Sequence, residues 1–330
     1  MSTPAELYDR VHSEIGTVLI GNDEIIEGLF ISLLTEGHIL LEGVPGIAKT
    51  TIAKLFAGAT GLDYSRIQMT PDILPADITG TEVYRKQTGD FELQRGPVFA
   101  NLVLVDEINR ATAKTQSALL ESMQERQVTI GRETLALPEP FMVVATQNPI
   151  EMEGVYELPE AQRDRFQFRY SMGLPDKTNE RRIVDRFDSQ PDLGPGEIEQ
   201  VVTPTEIAAA QETTLQVHVS DAVKDYLIDV IDATRSSDDV AHGASTRASL
   251  MLLRGAKARA IIHDRNYVIP DDIMALVEPA LAHRLVLNTD ADLRGRSTEE
   301  VLAEVLSSVE LPEDALIERN APSESTSGSA

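Results

Sequence analysis

The sequence predicts an α/β domain built on a five-stranded parallel sheet, followed by a smaller domain made of helices. Three observations lead there. Five short apolar runs, at His38–Leu41, Tyr64–Met69, Leu102–Val105, Phe141–Ala145 and Phe166–Tyr170, alternate with stretches of helical periodicity. That alternation favours parallel strands joined by crossover helices. The composition then changes at Leu174, and Asp188–Thr205 is rich in Pro, Gly and acidic residues, as a connection between domains would be. Beyond it the pattern is helical throughout. A length of 330 residues suits two domains better than one. The expected division is 1–175 for the α/β domain, 176–204 for a linker, 205–318 for the helical domain and 319–330 for a tail with little to bury.

The elements can be justified in order. Leu7, Val11, Ile15 and Val18 recur at helical spacing and predict an amphipathic helix. A second helix carries Ile25, Ile26, Leu29, Phe30, Leu33 and Leu34. The strand from His38 ends at Gly43, and a helix begins at Lys49. Between Pro71 and Pro97, Glu82–Arg85 and Asp90–Leu93 flank Gly89 and predict a hairpin. The strand at Leu102 is followed by a helix over Thr112–Glu125. Gln127–Ile130 and Thr134–Leu137, on either side of Gly131, predict a second hairpin. Later helices are expected over 205–214, 221–234, 245–263 and 271–284, the last opening on Pro270-Asp271-Asp272.

Composition excludes several classes of function. The absence of cysteine removes disulfides, zinc–thiolate sites and thiol nucleophiles. No apolar run approaches the roughly 18–20 residues of a membrane span. Met1–Arg10 has neither the basic nor the apolar region of a secretory signal, so a cytoplasmic location is expected. With 54 Asp+Glu against 29 Lys+Arg, the formal net charge is -25. Such a chain does not grip a nucleic acid backbone without a local basic groove. Only seven of the basic residues are lysines, and this balance fits adaptation to high intracellular salt, where screening suppresses self-repulsion.

The first strand runs into Gly43-Val44-Pro45-Gly46-Ile47-Ala48-Lys49-Thr50, followed by Thr51. A Gly-rich loop between a buried strand and a helix offers backbone N–H groups and a positive helix end to nucleotide phosphates. Lys49 is placed to reach the β- and γ-phosphates, and the Thr50 hydroxyl to ligate Mg²⁺. The strict pattern has Gly where Ala48 stands. The third strand delivers Asp106 and Glu107 at its C-terminal end, the end at which open α/β sheets bind ligands. Alternation along a strand points the two acids to opposite sides, which suits Asp106 to Mg²⁺ and Glu107 to polarising the attacking water. Phe141–Ala145 leads into Thr146-Gln147-Asn148, and Asn148 is a candidate to orient that water or to sense the γ-phosphate.

LLEGVPGIAKTT, LVLVDEINRA, VVATQNP, LPEAQRDRF and GASTRASLMLLRGAKARA together resemble the motifs of the MoxR-type AAA+ ATPases, over nearly the whole chain from Ile20 to about Leu287. The resemblance implies a P-loop αβα sandwich with a small all-α lid domain. It also implies an oligomeric, hexameric ring with ATP between subunits, and chaperone-like remodelling of protein partners that carry a von Willebrand factor A domain. It assigns Asn148 as sensor 1, Arg247 as sensor 2, and Arg165 over Arg163 as the arginine finger acting on a neighbour's ATP. Ile20 and Gly21 would lie near the adenine. Pro75–Phe99 would be the helix-2 insert and Gln127–Leu137 the hairpin before sensor 1, both partner-handling surfaces. Thr246 stands before Arg247 where the family often has proline. The alternatives are a metal-chelatase-like motor subunit, a DNA-directed motor and a non-hydrolysing switch. The hairpins mix Arg85, Lys86 and Arg132 with Glu82, Asp90, Glu92 and Glu133, which disfavours DNA. Retention of Lys49, Asp106, Glu107, Asn148 and Arg165 disfavours the switch.

Overall fold

The computed structural model describes residues 2–87, 89–148, 156, 158–189 and 198–312. The expected tail 319–330, the end of the expected helical domain at 313–318 and linker residues 190–197 lie outside the described residues. The chain forms two compact units, Met1–Leu215 and Gln216–Ala330.

In the first unit, α1 (Pro4–Val18) opens on a reciprocal cap. The Thr3 hydroxyl accepts from the Glu6 N–H, and the Glu6 carboxylate accepts from the Thr3 N–H. Its buried stripe is Leu7, Val11, Ile15 and Val18, as the spacing predicts. There follow α2 (Asp23–Leu34), β1 (Ile39–Gly43), α3 (Lys49–Thr60), β2 (Tyr64–Gln68), α4 (Pro75–Thr79) and the antiparallel hairpin β3 (Gly80–Arg85) and β4 (Asp90–Arg95). Next come β5 (Leu102–Asp106), a 3₁₀ turn at Ile108–Arg110, α5 (Ala113–Glu125) and a second hairpin, β6 (Gln127–Ile130) and β7 (Glu133–Ala136). The unit closes with β8 (Met142–Gln147), α6 (Glu160–Arg163), β9 (Phe168–Met172), α7 (Lys177–Ser189) and α8 (Pro204–Leu215).

The five core strands pair in parallel in the order β2-β5-β8-β1-β9. Every residue of β5 is buried, which explains its unbroken apolar run. One face of the sheet contributes Leu40, Val103, Val105 and Val143 to a core completed by Leu119, Leu120 and Met123 of α5. His38 sits at the entry to β1, fully inside. Its Nδ1 accepts from the Val143 N–H at 3.0 Å, and its Nε2 lies 3.2 Å from the Met123 carbonyl. An acceptor at Nδ1 leaves the proton on Nε2, so the ring is neutral. Burial drives its pKa down to about 4, against a partial upward pull from the bond to Met123.

The two hairpins meet. The Gly131 turn lies against the Glu82 carboxylate of β3, so close that a Cβ at Gly131 would stand 2.3 Å from the carboxyl carbon.

Two segments differ from the sequence expectation. α7 forms within the stretch expected as linker; its sequence is so charged that the apolar positions Ile183, Val184 and Phe187 did not stand out, and the last two remain exposed. Helix α8, expected in the helical domain, belongs to the first unit. Its Ile207 and Ala210 are buried, and the Gln211 amide donates to the Leu33 carbonyl of α2 at 2.7 Å.

The second unit holds α9 (Asp221–Ser236), β10 (Val240–His242), α10 (Thr246–Ile262), α11 (Pro270–Leu281), β11 (Val286–Leu287), α12 (Thr289–Leu293) and α13 (Thr298–Ser308). It is helical as expected, with one short antiparallel ladder between β10 and β11. The fully buried Asp272 carboxylate is held by Arg259 at 2.9 Å, by both Nη atoms of Arg265 at 2.6 Å and by the Ile269 N–H at 3.0 Å. A buried charge with this many donors is well compensated. Among the described residues, no helix is long and apolar enough to cross a membrane.

Candidate nucleotide-binding and hydrolysis site

The sheet order decides what meets what. β1, β8, β5 and β2 lie side by side and parallel, so their C-terminal ends form one edge. The loop after β1 opens there, and α3 begins at Lys49 with Ala48 as its N-cap. The first-turn N–H groups of a helix have no intrahelical acceptor, which leaves those of Lys49, Thr50 and Thr51 for an external anion. Gly46 has φ +86°, and a Cβ there would meet nothing within 4 Å. The space beside Gly46 is therefore open. Lys49 folds over it, its ammonium donating to the Gly43 carbonyl and to the Val44 carbonyl at 3.2 Å. Burial lowers the Lys49 pKa, opposed by the charges of Asp106 and Glu107. Ala48 has φ +70°, a left-handed conformation in which the family glycine costs nothing and alanine costs about 1 kcal/mol.

A pocket of about 410 Å³ lies at this edge. Its walls include Lys49, Thr50, Asp106, Glu107, Thr146 and Asn148, which the sheet brings together from three separate stretches of sequence. The Thr50 hydroxyl donates to Asp106 Oδ2 at 3.1 Å, and the Thr146 hydroxyl donates to Asp106 Oδ1 at 2.6 Å. Burial pushes the Asp106 carboxyl up, but the bonds from Thr146, Arg66 and Thr50 together with the charge of Arg66 outweigh it and hold it below the usual carboxylate range. Asp106 is ionised at neutral pH.

Alternation along the strand does not extend to Glu107. β5 ends at Asp106, and Glu107 takes φ +57°, so the turn into the 3₁₀ segment sets its direction. Its N–H donates to Thr146 Oγ1 at 3.0 Å, and its carboxylate accepts from the Gln68 amide at 2.8 Å and lies 3.5 Å from Arg110. Thr146 thus braces both acids. Asn148 follows β8, is buried, and accepts at its backbone carbonyl from Asn109 Nδ2 at 3.4 Å.

The other site residues expected from the sequence come from other elements of the chain. Ile20 and Gly21 lie between α1 and α2, with Gly21 beside the Asn179 amide of α7. Arg163 ends α6 and Arg165 follows in a turn; neither lines the described walls of the pocket, and the Nε of each is buried without a hydrogen-bond partner among the described residues. Arg247 is exposed in the first turn of α10, in the second unit, where the Ser245 hydroxyl caps the helix by accepting from the Ala248 N–H at 3.3 Å.

The sequence reading missed Arg66, Gln68 and Thr146. The signal for the first two was present: polar residues two apart at the end of a strand share a face. What was not legible locally is the register, which sets Gln68 opposite Asp106.

Residues 38–168 match the sequence model of the ATPase family associated with various cellular activities (AAA), and residues 232–305 that of the AAA lid domain. The chain is 45% identical over 322 residues to chaperone MoxR1 of Mycobacterium tuberculosis, covering 95% of this chain and 84% of that protein. This chain is a member of the MoxR family of AAA+ ATPases. The Bacillus subtilis protein YeaC is 41% identical, covering 93% and 95% of the two chains. Protein MoxR of Methylorubrum extorquens is 29% identical, covering 86% and 89%. A crystal structure from Cytophaga hutchinsonii, of a protein described as a candidate ATPase, superposes with a TM-score of 0.86 at 41% identity, covering 93% of this MoxR-family chain and 96% of its own.

The residues present fit Mg²⁺. Thr50 Oγ1 and Asp106 Oδ2 are hard oxygen donors 3.1 Å apart, and no cluster of three or more carboxylate, His or Cys ligands exists among the described residues. One or two protein oxygens, with phosphates and waters completing the sphere, is the way Mg²⁺ is held in nucleotide sites.

Proposed function

We propose that this MoxR-family chain hydrolyses ATP and uses the cycle, in an oligomeric and expectedly hexameric ring, to remodel or mature protein partners that carry a von Willebrand factor A domain. The observation that carries the hydrolytic reading is the convergence of Lys49, Thr50, Asp106 and Glu107 on one pocket, with Thr146 bonded to the Asp106 carboxylate and to the backbone N–H of Glu107. Lys49 and the loop N–H groups bind the phosphates. Thr50 and Asp106 hold the metal, which when bound supplies charge that offsets the phosphate oxygens. Glu107 takes the proton of the attacking water, and Asn148 orients that water. Arg165 reaches a neighbour's nucleotide, a role that agrees with its position off the walls of its own pocket. Arg247 senses the nucleotide from the helical domain, and Ile20 and Gly21 face the adenine. The proposed location is the cytoplasm, and the acidic excess is proposed as an adaptation to salt.

A protein client is supported by the first hairpin. Tyr84 and Phe91 pack across its strands as a tilted ring pair, centroids 5.3 Å apart, and are 53% and 69% exposed, an apolar surface with balanced charge around it. That surface does not suit a phosphate backbone.

Two variants test the reading. Glu107→Gln should bind ATP and lose at least about 100-fold in turnover, and it should accumulate as rings by light scattering. Turnover equal to wild type overturns the role of Glu107. Lys49→Ala should lose nucleotide binding, and undiminished affinity refutes the loop. Glu107→Gln is also the trap for a pull-down; recovery of no protein with a von Willebrand factor A domain counts against the client class.

A further inference from the structure

One cation in the site has no part in the chemistry just assigned. Arg66 stands on β2, the strand paired with β5, two residues before the strand ends at Gln68. Its Nε and Nη2 both donate to Asp106 Oδ2, at 3.1 and 2.7 Å. This is the oxygen that also accepts from Thr50. The fork is therefore set on the one atom of Asp106 that faces the second expected metal ligand, while Oδ1 is turned to Thr146. The Asp106 side chain is 10% exposed and that of Arg66 47%. The carboxylate is fixed, and the guanidinium has solvent into which it can swing.

A carboxylate oxygen that already accepts three N–H or O–H bonds has no lone pair left for a metal or its water shell. A guanidinium and a divalent cation also repel strongly at such a distance. We propose that Arg66 is an internal counter-cation of the metal site: it and Mg²⁺ are alternative partners of Asp106 Oδ2, and the metal enters only by displacing it. This rests on the nucleotide-site reading above. The exchange carries further, because Arg66 Nη2 also donates to Gln68 Oε1 at 2.7 Å and so fixes which way that amide faces. The other end of the same amide holds Glu107. Displacing Arg66 unpins the amide, so the state of the metal site reaches Glu107 through two side chains.

The test uses Mn²⁺ as the probe, titrated into the full chain without nucleotide, with free Mn²⁺ read by electron paramagnetic resonance. Arg66→Gln should bind Mn²⁺ at least about tenfold more tightly than wild type. Arg66→Lys, which keeps the charge but not the fork, should show a smaller gain of about threefold. Adding Asp106→Asn to Arg66→Gln should abolish the gain. A damaged fold does not tighten metal binding, so a gain that depends on Asp106 distinguishes this role from a structural one. Equal or weaker Mn²⁺ binding in both single variants overturns the proposal. Binding of a fluorescent ATP analogue is measured separately: if wild type binds none, the nucleotide-site reading fails, while the Mn²⁺ comparison still decides the role of Arg66.

Discussion

Thr146 shows how much of this site depends on a side chain with no reactive chemistry of its own. Its hydroxyl donates to Asp106 and accepts from the Glu107 N–H, so one atom fixes the metal-holding acid and the turn that presents the base. Thr146→Val keeps the shape and removes both bonds. Turnover should fall about 10–100-fold, in line with the loss of an outer partner of a metal ligand, with a smaller change in ATP affinity; steady-state kinetics beside analogue binding separates the two. At this scale the sequence was legible wherever the chemistry is contiguous. Lys49 and Thr50 follow the loop, and Asp106 and Glu107 end an apolar strand. It was not legible where partners come from a neighbouring strand, since Arg66 and Gln68 reach the acids only through the pairing of β2 with β5. Strand alternation says nothing of the direction of Glu107 for a related reason. Strand periodicity stops at Asp106, and the left-handed turn that follows leaves no signature in residue type.

Among the elements, strands and hairpins matched the pattern within about two residues because buried parallel strands are short, apolar and bounded by turn residues. α7 was missed because its charge hides its apolar spacing. α8 was placed in the wrong unit because a helix's own sequence does not say against what its buried face packs. The turn between β6 and β7 gives a prediction at this scale. Gly131 has φ +59°, so Gly131→Ala should cost about 1–2 kcal/mol from the left-handed backbone. The approach to Glu82 adds less, since a carboxylate end can swing aside. Urea denaturation of the variant beside Gly131→Ala/Glu82→Ala should show most of the loss persisting; full recovery in the double variant would assign it to the contact.

For the molecule as a whole, two terms control stability through solution conditions. His38 is neutral and buried, with its pKa near 4 against the ordinary 6.5. Between those values the unfolded chain binds more protons than the folded one, so stability rises with pH across that window and is lost as pH falls through it. The slope of melting temperature against pH should flatten between about pH 4 and 6.5 in His38→Gln, even though the variant melts lower at neutral pH. An unchanged slope would assign the acid sensitivity to other groups. The second term is the net charge of -25. Self-repulsion falls as salt shortens the Debye length from about 30 Å at 0.01 M to about 3 Å at 1 M, so the melting temperature should climb over that range. A flat salt profile by scanning calorimetry would remove the case for salt adaptation.

The seat of Gly131 on Glu82 has a mechanical consequence. Hairpins on separate stalks would bend independently, and force applied to one would be dissipated in its own hinge. Here the Glu82 carboxylate of the first rests on the Gly131 turn of the second, a contact that holds only while that side chain stays in place. The second is rooted at β6, directly after α5, whose buried residues Leu119, Leu120 and Met123 pack under the sheet. A load taken up near Tyr84 and Phe91 would therefore meet a yielding side-chain contact before it reached the second hairpin, and the coupling of the two hairpins would depend on Glu82 staying on that turn.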